Sequence, residues 1–474
     1  MRATIASVTA GLALGVLACE ARSPTDAGAP AAREAAGAAR AAVRAGNVFT
    51  APNAAGAAQT VNASGGRVID ADNPFYQALG TNGRSCATCH DARDNMTVTP
   101  ARLRDRFDAT GGTDPIFRPV DGATSPDADV STVEARRSAY ALLLSRGLIR
   151  IGLGVPPDAE FELVDVQDPY GHASADELSL FRRPLPATNL RFLSTVMWDG
   201  RETFAEPGQP TGYAPLDVEL ADQANVATLG HGQAAAPLAD AERQAIVAFE
   251  LQLFTAQVSD DEAGGLTSGG ATGGPRVLSS QPFTFGMNDP FDGGAFDPAV
   301  FTEFAAWQGS PREARAAIAR GEALFDHLPF AITGVSGLND ELGQPTIQGT
   351  CTTCHDTPHA GSHSVPAPLR VGTDLPDPPG GLDASGLPVY TLRDRATGEL
   401  TRTTDPGRAL VTGRWKDVGR FKGPTLRGLA GRAPYFHNGS APDLASVVEF
   451  YDARFALHLT AGQKDDLVAF LQAL

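Results

Sequence analysis

Near the end of the chain, Leu467, Phe470, Leu471 and Leu474 fall at i, i+3, i+4 and i+7, the spacing of one helix face. Thr460 is placed to cap that helix, and Gln463, three residues on, completes a capping box. Upstream, Leu444, Val447, Val448 and Tyr451 repeat the spacing, with Ser440 and Pro442 opening the helix. Ile246-Val-Ala-Phe-Glu-Leu251 is similar to Leu467-Val-Ala-Phe-Leu471, so each half of the chain is predicted to close on a comparable helix. Alternating strand-like runs are few, and the pattern predicts two mainly helical units.

An apolar run from Ala3 to Ala18 follows Arg2 and ends at Cys19. It is too short to span a bilayer and predicts an export signal over 1–19. Val16-Leu17-Ala18-Cys19 resembles a lipobox, which would put a lipid on Cys19 and leave the protein in the periplasm or cell envelope. Residues 20–67 are rich in Ala, Gly, Ser and Pro and are expected to be a flexible tether. A first domain is expected over 68–258, a Gly/Pro-rich linker over 259–310 and a second domain over 311–474.

The 474 residues allow two or three domains, and 42% of them are apolar, enough for real cores. A formal net charge of -17 argues against nucleic acid, whose backbone demands Lys and Arg. It suits an exported protein and steering towards a basic partner.

Four of the five cysteines lie in Cys86-Ala-Thr-Cys89-His90 and Cys351-Thr-Thr-Cys354-His355. Cys-x-x-Cys-His attaches haem c for a physical reason: two thiols at that spacing add to the two porphyrin vinyls, and the histidine then binds iron. Zinc or a redox dithiol are the competing readings. The adjacent histidine, the repetition and the export signal favour two covalent haems, with His90 and His355 as proximal ligands. The opposite side of each iron decides between electron transfer and catalysis. No methionine follows Met287. The second unit therefore offers His359, His363, His437, His458 or a tyrosine, and the first offers Met96, Met197, His172 or His231. Met197 reads more simply as core, and His359 and His363 as solvated loop residues.

The two motifs, Trp198-Asp199-Gly200-Arg201, Phe421-Lys-Gly-Pro-Thr-Leu-Arg427 and Ala433-Pro-Tyr-Phe-His437-Asn-Gly439 together resemble the bacterial di-haem cytochrome c peroxidases and their relative MauG. The likeness covers most of 68–474 and is poor across 100–180. It implies an all-α fold of two cytochrome-c-like domains. It implies that the N-terminal haem meets hydrogen peroxide and the C-terminal haem relays electrons, with Trp198 between them. It also implies a role for His437 at the second haem and for Gln223 beside the peroxide. Tyr451 falls where the peroxidases carry a methionine ligand and MauG-like proteins a tyrosine; otherwise it completes its helix stripe.

Two departures stand out. No histidine lies between His90 and His172, so the first iron is expected to be open. The family's glutamate, ten residues after the glutamine matched by Gln223, is Gln233 here. His231 is the nearest substitute, as acid/base or as an iron ligand. The family's calcium has one matching carbonyl, at Pro434, but its side-chain donor falls on Arg183. The expected function is peroxide reduction, fed by a small cytochrome or cupredoxin, with a homodimer allowed for and membrane contact only through the N-terminal lipid. A di-haem electron carrier and a MauG-like oxidase of a protein side chain are the alternatives.

Overall fold

A computed structural model describes residues 46–203, 216–291 and 294–474. The export signal, Cys19 and most of the tether lie outside them. The closing helices form as the apolar spacing predicts. Ala461–Ala473 starts at Thr460, whose side chain and that of Gln463 make the reciprocal cap. Leu467, Phe470, Leu471 and Leu474 are all buried. Leu444–Phe455 begins two residues later than Ser440 and Pro442 suggested, because Asp443 accepts from Ser446 N and is the cap.

The all-α expectation is wrong. Among the described residues, eleven strands form four antiparallel sheets. Most are short, and short apolar runs carry no helical or strand period of their own. Leu178–Arg182, for example, is buried at every position. Phe161–Gln167 pairs with Val389–Asp394, so a strand from before the Trp198 run is stitched to one from beyond the second cysteine motif.

Part of the segment read as tether is also structured. Val48–Asn53 and Gly56–Asn62 form a hairpin that pairs with Leu253–Asp260. Its inward positions are alanine and threonine: Ala58 is fully buried, and the Thr60 and Thr255 hydroxyls meet at 2.8 Å. Nor is 259–310 a free linker. Val300, Phe301, Phe304 and Trp307 join Phe325 and Phe470 in one core, with Phe301 edge-on to Phe325 and Phe470, each at 5.4 Å. Gly/Pro richness there marks an irregular path and not exposure.

All described residues lie in one compact unit. Its C-terminal helix crosses Glu313–His327 very closely at Gly321, where an added Cβ would meet Asp466 O at 2.0 Å and Phe470 Cβ at 2.7 Å. Gly321→Ala is therefore expected to cost about 1–3 kcal/mol through overpacking. Gly462→Ala, where nothing lies within 4 Å of the new methyl, should be neutral or stabilising by up to about 1 kcal/mol. Urea unfolding of the two variants beside the parent checks the contrast; equal stability would disprove the tight crossing.

Candidate functional site

Each cysteine motif folds as one short turn. His90 N donates to Cys86 O at 3.0 Å, and His355 N to Cys351 O at 3.1 Å. The threonine before each second cysteine closes the turn, accepting from Ser85 N (2.9 Å) or Thr350 N (3.1 Å). The threonine shared by the two motifs thus does the same work in each turn.

The two histidines are oriented alike. His90 Nδ1 lies 3.1 Å from Met96 O, and His355 Nδ1 2.8 Å from Gly361 O. A carbonyl can only accept, so Nδ1 carries the proton and Nε2 keeps its lone pair for a metal. Burial holds His90 down at about 4, so it is neutral at ordinary pH. Met96 gives its carbonyl and not its sulfur: its side chain is fully buried with Phe75, Ile246 and Phe249.

Each motif opens onto a large, mostly apolar cavity. The first is lined by Cys86, Cys89, His90, Gln223, His231 and Glu250. The second is lined by Cys351, Cys354, His355, His437 and Tyr451. Trp198 lines both. All the site residues chosen from the sequence thus come to one cavity or the other. Two thiols, an imidazole with a free Nε2 and an apolar enclosure fit a covalently held haem in each.

Trp198 is fixed from both sides. Its indole N–H donates to Arg183 O at 2.8 Å, and its ring stands edge-on to His437 at 6.2 Å. Asp199 next to it is fully buried between Arg182 (2.5 Å) and Arg201 (3.0 Å). Burial alone would raise that carboxyl, but Arg182 and Arg201 pull it down to about 2. His437 stacks on Phe421 at 4.0 Å, and its Nε2 is buried without a partner among the described residues. Burial keeps it neutral, at about 4. Tyr451 packs against Phe436, Phe450 and Phe455, and burial pushes its phenol above the ordinary range.

His231 ends the helix Leu216–Gly230, and its Nδ1 lies 2.5 Å from Asp121 Oδ2. The buried Arg84 holds the same oxygen at 2.7 Å. Burial opposes ionisation of Asp121, but His231 and Arg84 outweigh it and keep its pKa below the ordinary value. A carboxylate on Nδ1 leaves the Nε2 lone pair of His231 available. Sequence reasoning missed Asp121 and Arg84, because nothing in the chain's pattern links positions 110 residues apart. It also passed over Glu250, which burial pushes up to about 8 in the first cavity, although that residue lay in the helix already singled out. Lys422, in the C-terminal run, lines both cavities, donates to Thr195 O at 2.9 Å and is pulled down to about 7 by burial.

The other histidines fall elsewhere. His172 pairs with Asp127 at 3.2 Å, and His458 is exposed. His359 faces Glu303 at 3.1 Å and is partly buried. His363, expected in solvent, is only 4% exposed. Met197 lines the first cavity at the edge of a small core cluster with Leu190 and Leu193.

The calcium implied by the resemblance does not fit. The Arg183 guanidinium donates to Arg146 O (2.6 Å), Val98 O (2.8 Å) and Arg432 O (3.0 Å). Burial and the neighbouring Arg432 lower it only to about 10, so it stays charged and is itself the cation that these carbonyls hold.

The chain matches no family model. It is 33% identical over 144 residues to cytochrome-c peroxidase IdrP1 of Pseudomonas sp. (strain SCT), covering 26% of this chain and 36% of that protein. It is 30% identical over 197 residues to cytochrome-c peroxidase IdrP1 of Denitromonas iodatirespirans, covering 37% and 45%. A match to cytochrome c peroxidase Ccp of Escherichia coli is 39% identical over 89 residues, 18% of this chain and 19% of that one. The chain therefore spans less than half the length of these relatives. Among solved structures, a MauG-like protein associated with microbial copper homeostasis aligns over 86% of this chain and 91% of its own, at 17% identity and a TM-score of 0.33. Over the stretches matched, the chain is similar in sequence to bacterial cytochrome-c peroxidases.

Proposed function

We propose that this protein is a periplasm-facing peroxidase with two haems c, reducing hydrogen peroxide in the first cavity with electrons relayed through the second. The observation that carries the reading is the pair of cavities walled by one tryptophan, with an oriented imidazole–carboxylate pair, among the described residues, in the first alone. The haems would supply the iron that binds peroxide and stores electrons.

The chain's own residues supply the rest. His231 Nε2 takes the proton from the near peroxide oxygen and returns it to the far one, so that water leaves. Asp121 holds the imidazole in the required tautomer and balances its charge when protonated. Arg84 keeps Asp121 ionised. The Gln223 amide lies on the same wall and orients peroxide. Trp198 stands where an electron passes from the second cavity to the first. Tyr451 and His437 line the second cavity, where Tyr451 would be the residue that offers an oxygen donor to a haem iron held there. This assignment gives His231 the task of the missing glutamate. A second reading comes from the same geometry: a carboxylate on Nδ1 also prepares a histidine to bind iron. His231 would then close the first iron and make the protein an electron carrier.

No helix among the described residues is long and apolar enough to cross a membrane. Periplasmic placement with a lipid on Cys19 is part of the proposal, as is a small basic cytochrome or cupredoxin as donor.

Haem stoichiometry is the first check: two haems per chain should survive acid-acetone extraction, and Cys86→Ala with Cys89→Ala should leave one. Complete extraction would overturn covalent attachment. For the chemistry, His231→Ala should slow the reaction with peroxide by about 10²-fold or more, and Asp121→Asn by a smaller factor, through the lost tautomer control. Faster peroxide binding in His231→Ala would establish the carrier reading instead. Tyr451→Phe should change the second haem's EPR signal with little loss of stability, since only a hydroxyl is removed. Finally, millimolar calcium added to chelator-treated protein should alter neither turnover nor thermal midpoint, because Arg183 already satisfies the carbonyls. A rise in either would show a calcium site.

A further inference from the structure

Outside both cavities, Asp289, Asp356 and His363 converge, all buried, with donor atoms within 4.8 Å of one another. His363 Nδ1 lies 3.2 Å from Asp356 Oδ2 and 3.4 Å from Asp289 Oδ2. Both carboxylates are turned this way by the main chain. Ser364 N donates to Asp356 Oδ1 at 2.6 Å, and Phe291 N to Asp289 Oδ1 at 2.9 Å. Each therefore presents its second oxygen to the imidazole.

These separations are long for charge-assisted hydrogen bonds, which run at roughly 2.7–2.9 Å. They match the edges of a tetrahedral metal site. With bonds of roughly 2.0–2.1 Å to nitrogen and oxygen, a tetrahedron's edges are about 3.3–3.4 Å. One imidazole and two carboxylates suit zinc or another first-row divalent ion. Calcium and magnesium take oxygen donors and have no use for the ring nitrogen.

The position gives such an ion a task. Asp356 directly follows His355, and His363 stands two residues beyond Gly361, whose carbonyl accepts from His355 Nδ1. An ion joining Asp356 to His363 would tie both ends of the loop that aims the His355 imidazole. Asp289 would anchor that loop to the preceding segment, whose Asn288 side chain donates to Thr352 Oγ1 inside the cysteine motif at 3.0 Å.

We propose that Asp289, Asp356 and His363 form a binding site for one first-row divalent cation of the zinc type, which fixes the loop orienting His355. The ion site stands independently of the peroxidase reading; its effect on the second haem rests on haem being attached there.

The test uses the full haem-loaded protein, stripped with a chelator and titrated with zinc(II), with metal counted by elemental analysis and haem by its pyridine haemochrome. One zinc per chain is expected in the parent. Asp289→Asn and His363→Gln, which lie on separate segments, should each lose it while haem per chain stays at the parent's value. A variant that loses haem as well is misfolded, and the other variant then decides. Zinc should also sharpen or shift the second haem's EPR signal without touching the first. No zinc uptake by the parent, equal uptake by both variants, or calcium taken up in place of zinc would each overturn the site. Zinc bound at full stoichiometry with no peroxide turnover would keep the site and remove only the peroxidase reading.

Discussion

One residue ties the two cavities together, and much of the geometry depends on it. Arg183 donates its main-chain N–H to His437 O at 2.7 Å, accepts the Trp198 indole at its own carbonyl, and sends its guanidinium to the carbonyls of Val98, Arg146 and Arg432. A buried guanidinium is costly unless its donors are met, and stranding buried carbonyls costs about 1–3 kcal/mol each. The arrangement is therefore all-or-nothing. With Arg183 in place, segments that begin at 98, 146, 198 and 432 are held to common coordinates. Without its side chain, three acceptors lose their partner together, while the main-chain carbonyl that takes the indole remains.

The neighbouring Arg182 extends the frame in the other direction. It joins Asp405 at 2.6 Å and Asp199 at 2.5 Å, all three nearly inaccessible. A buried triad of this kind is weak evidence for net stability, because desolvation offsets attraction. Its value is positional: only one placement of Asp199 satisfies both arginines, and that placement sets Trp198. Arg182, the last residue of the strand Leu178–Arg182, and Arg183 just beyond it thus send their side chains to different partners. Arg182 braces the tryptophan from Asp199, and Arg183 braces it from the indole.

What could be read from the sequence follows from how local each cause is. The cysteine motifs, the Thr460 cap and the stripes of the last two helices are set within a few residues, and each holds in the structure. The hairpin of residues 48–62 was not legible, because its inward alanines and threonines match a tether in composition. Phe301, Phe304 and Trp307 did carry a signal against a free linker, being aromatics at a spacing of three within the Gly/Pro-rich stretch. Trp198, Gln223, His231, His437 and Tyr451 were found by resemblance, whereas Asp121 reaches the first cavity from the region where that resemblance is poor, and Arg84, two residues before Cys86, belongs to no motif. Their role exists only because the fold brings positions 84, 121 and 231 together.

The residues gathered there also give the two cavities different chemistry. Asp121, His231 and Glu250 line the first, so it can take and give protons. Among the described residues no carboxylate lines the second, whose walls hold His437, Tyr451, arginines and Lys422 among apolar side chains. Peroxide reduction consumes protons as well as electrons, and proton delivery needs groups that titrate within hydrogen-bond reach of the reacting oxygens. Under the proposed reading, the His231–Asp121 pair of the first cavity supplies them. The second has no such imidazole–carboxylate pair among the described residues, and an electron relay needs none. The division of labour then follows from which segments reach each cavity, the 84–121 stretch and the helix Leu216–Gly230 bringing the proton-handling groups to the first and the helix Leu444–Phe455 bringing Tyr451 to the second.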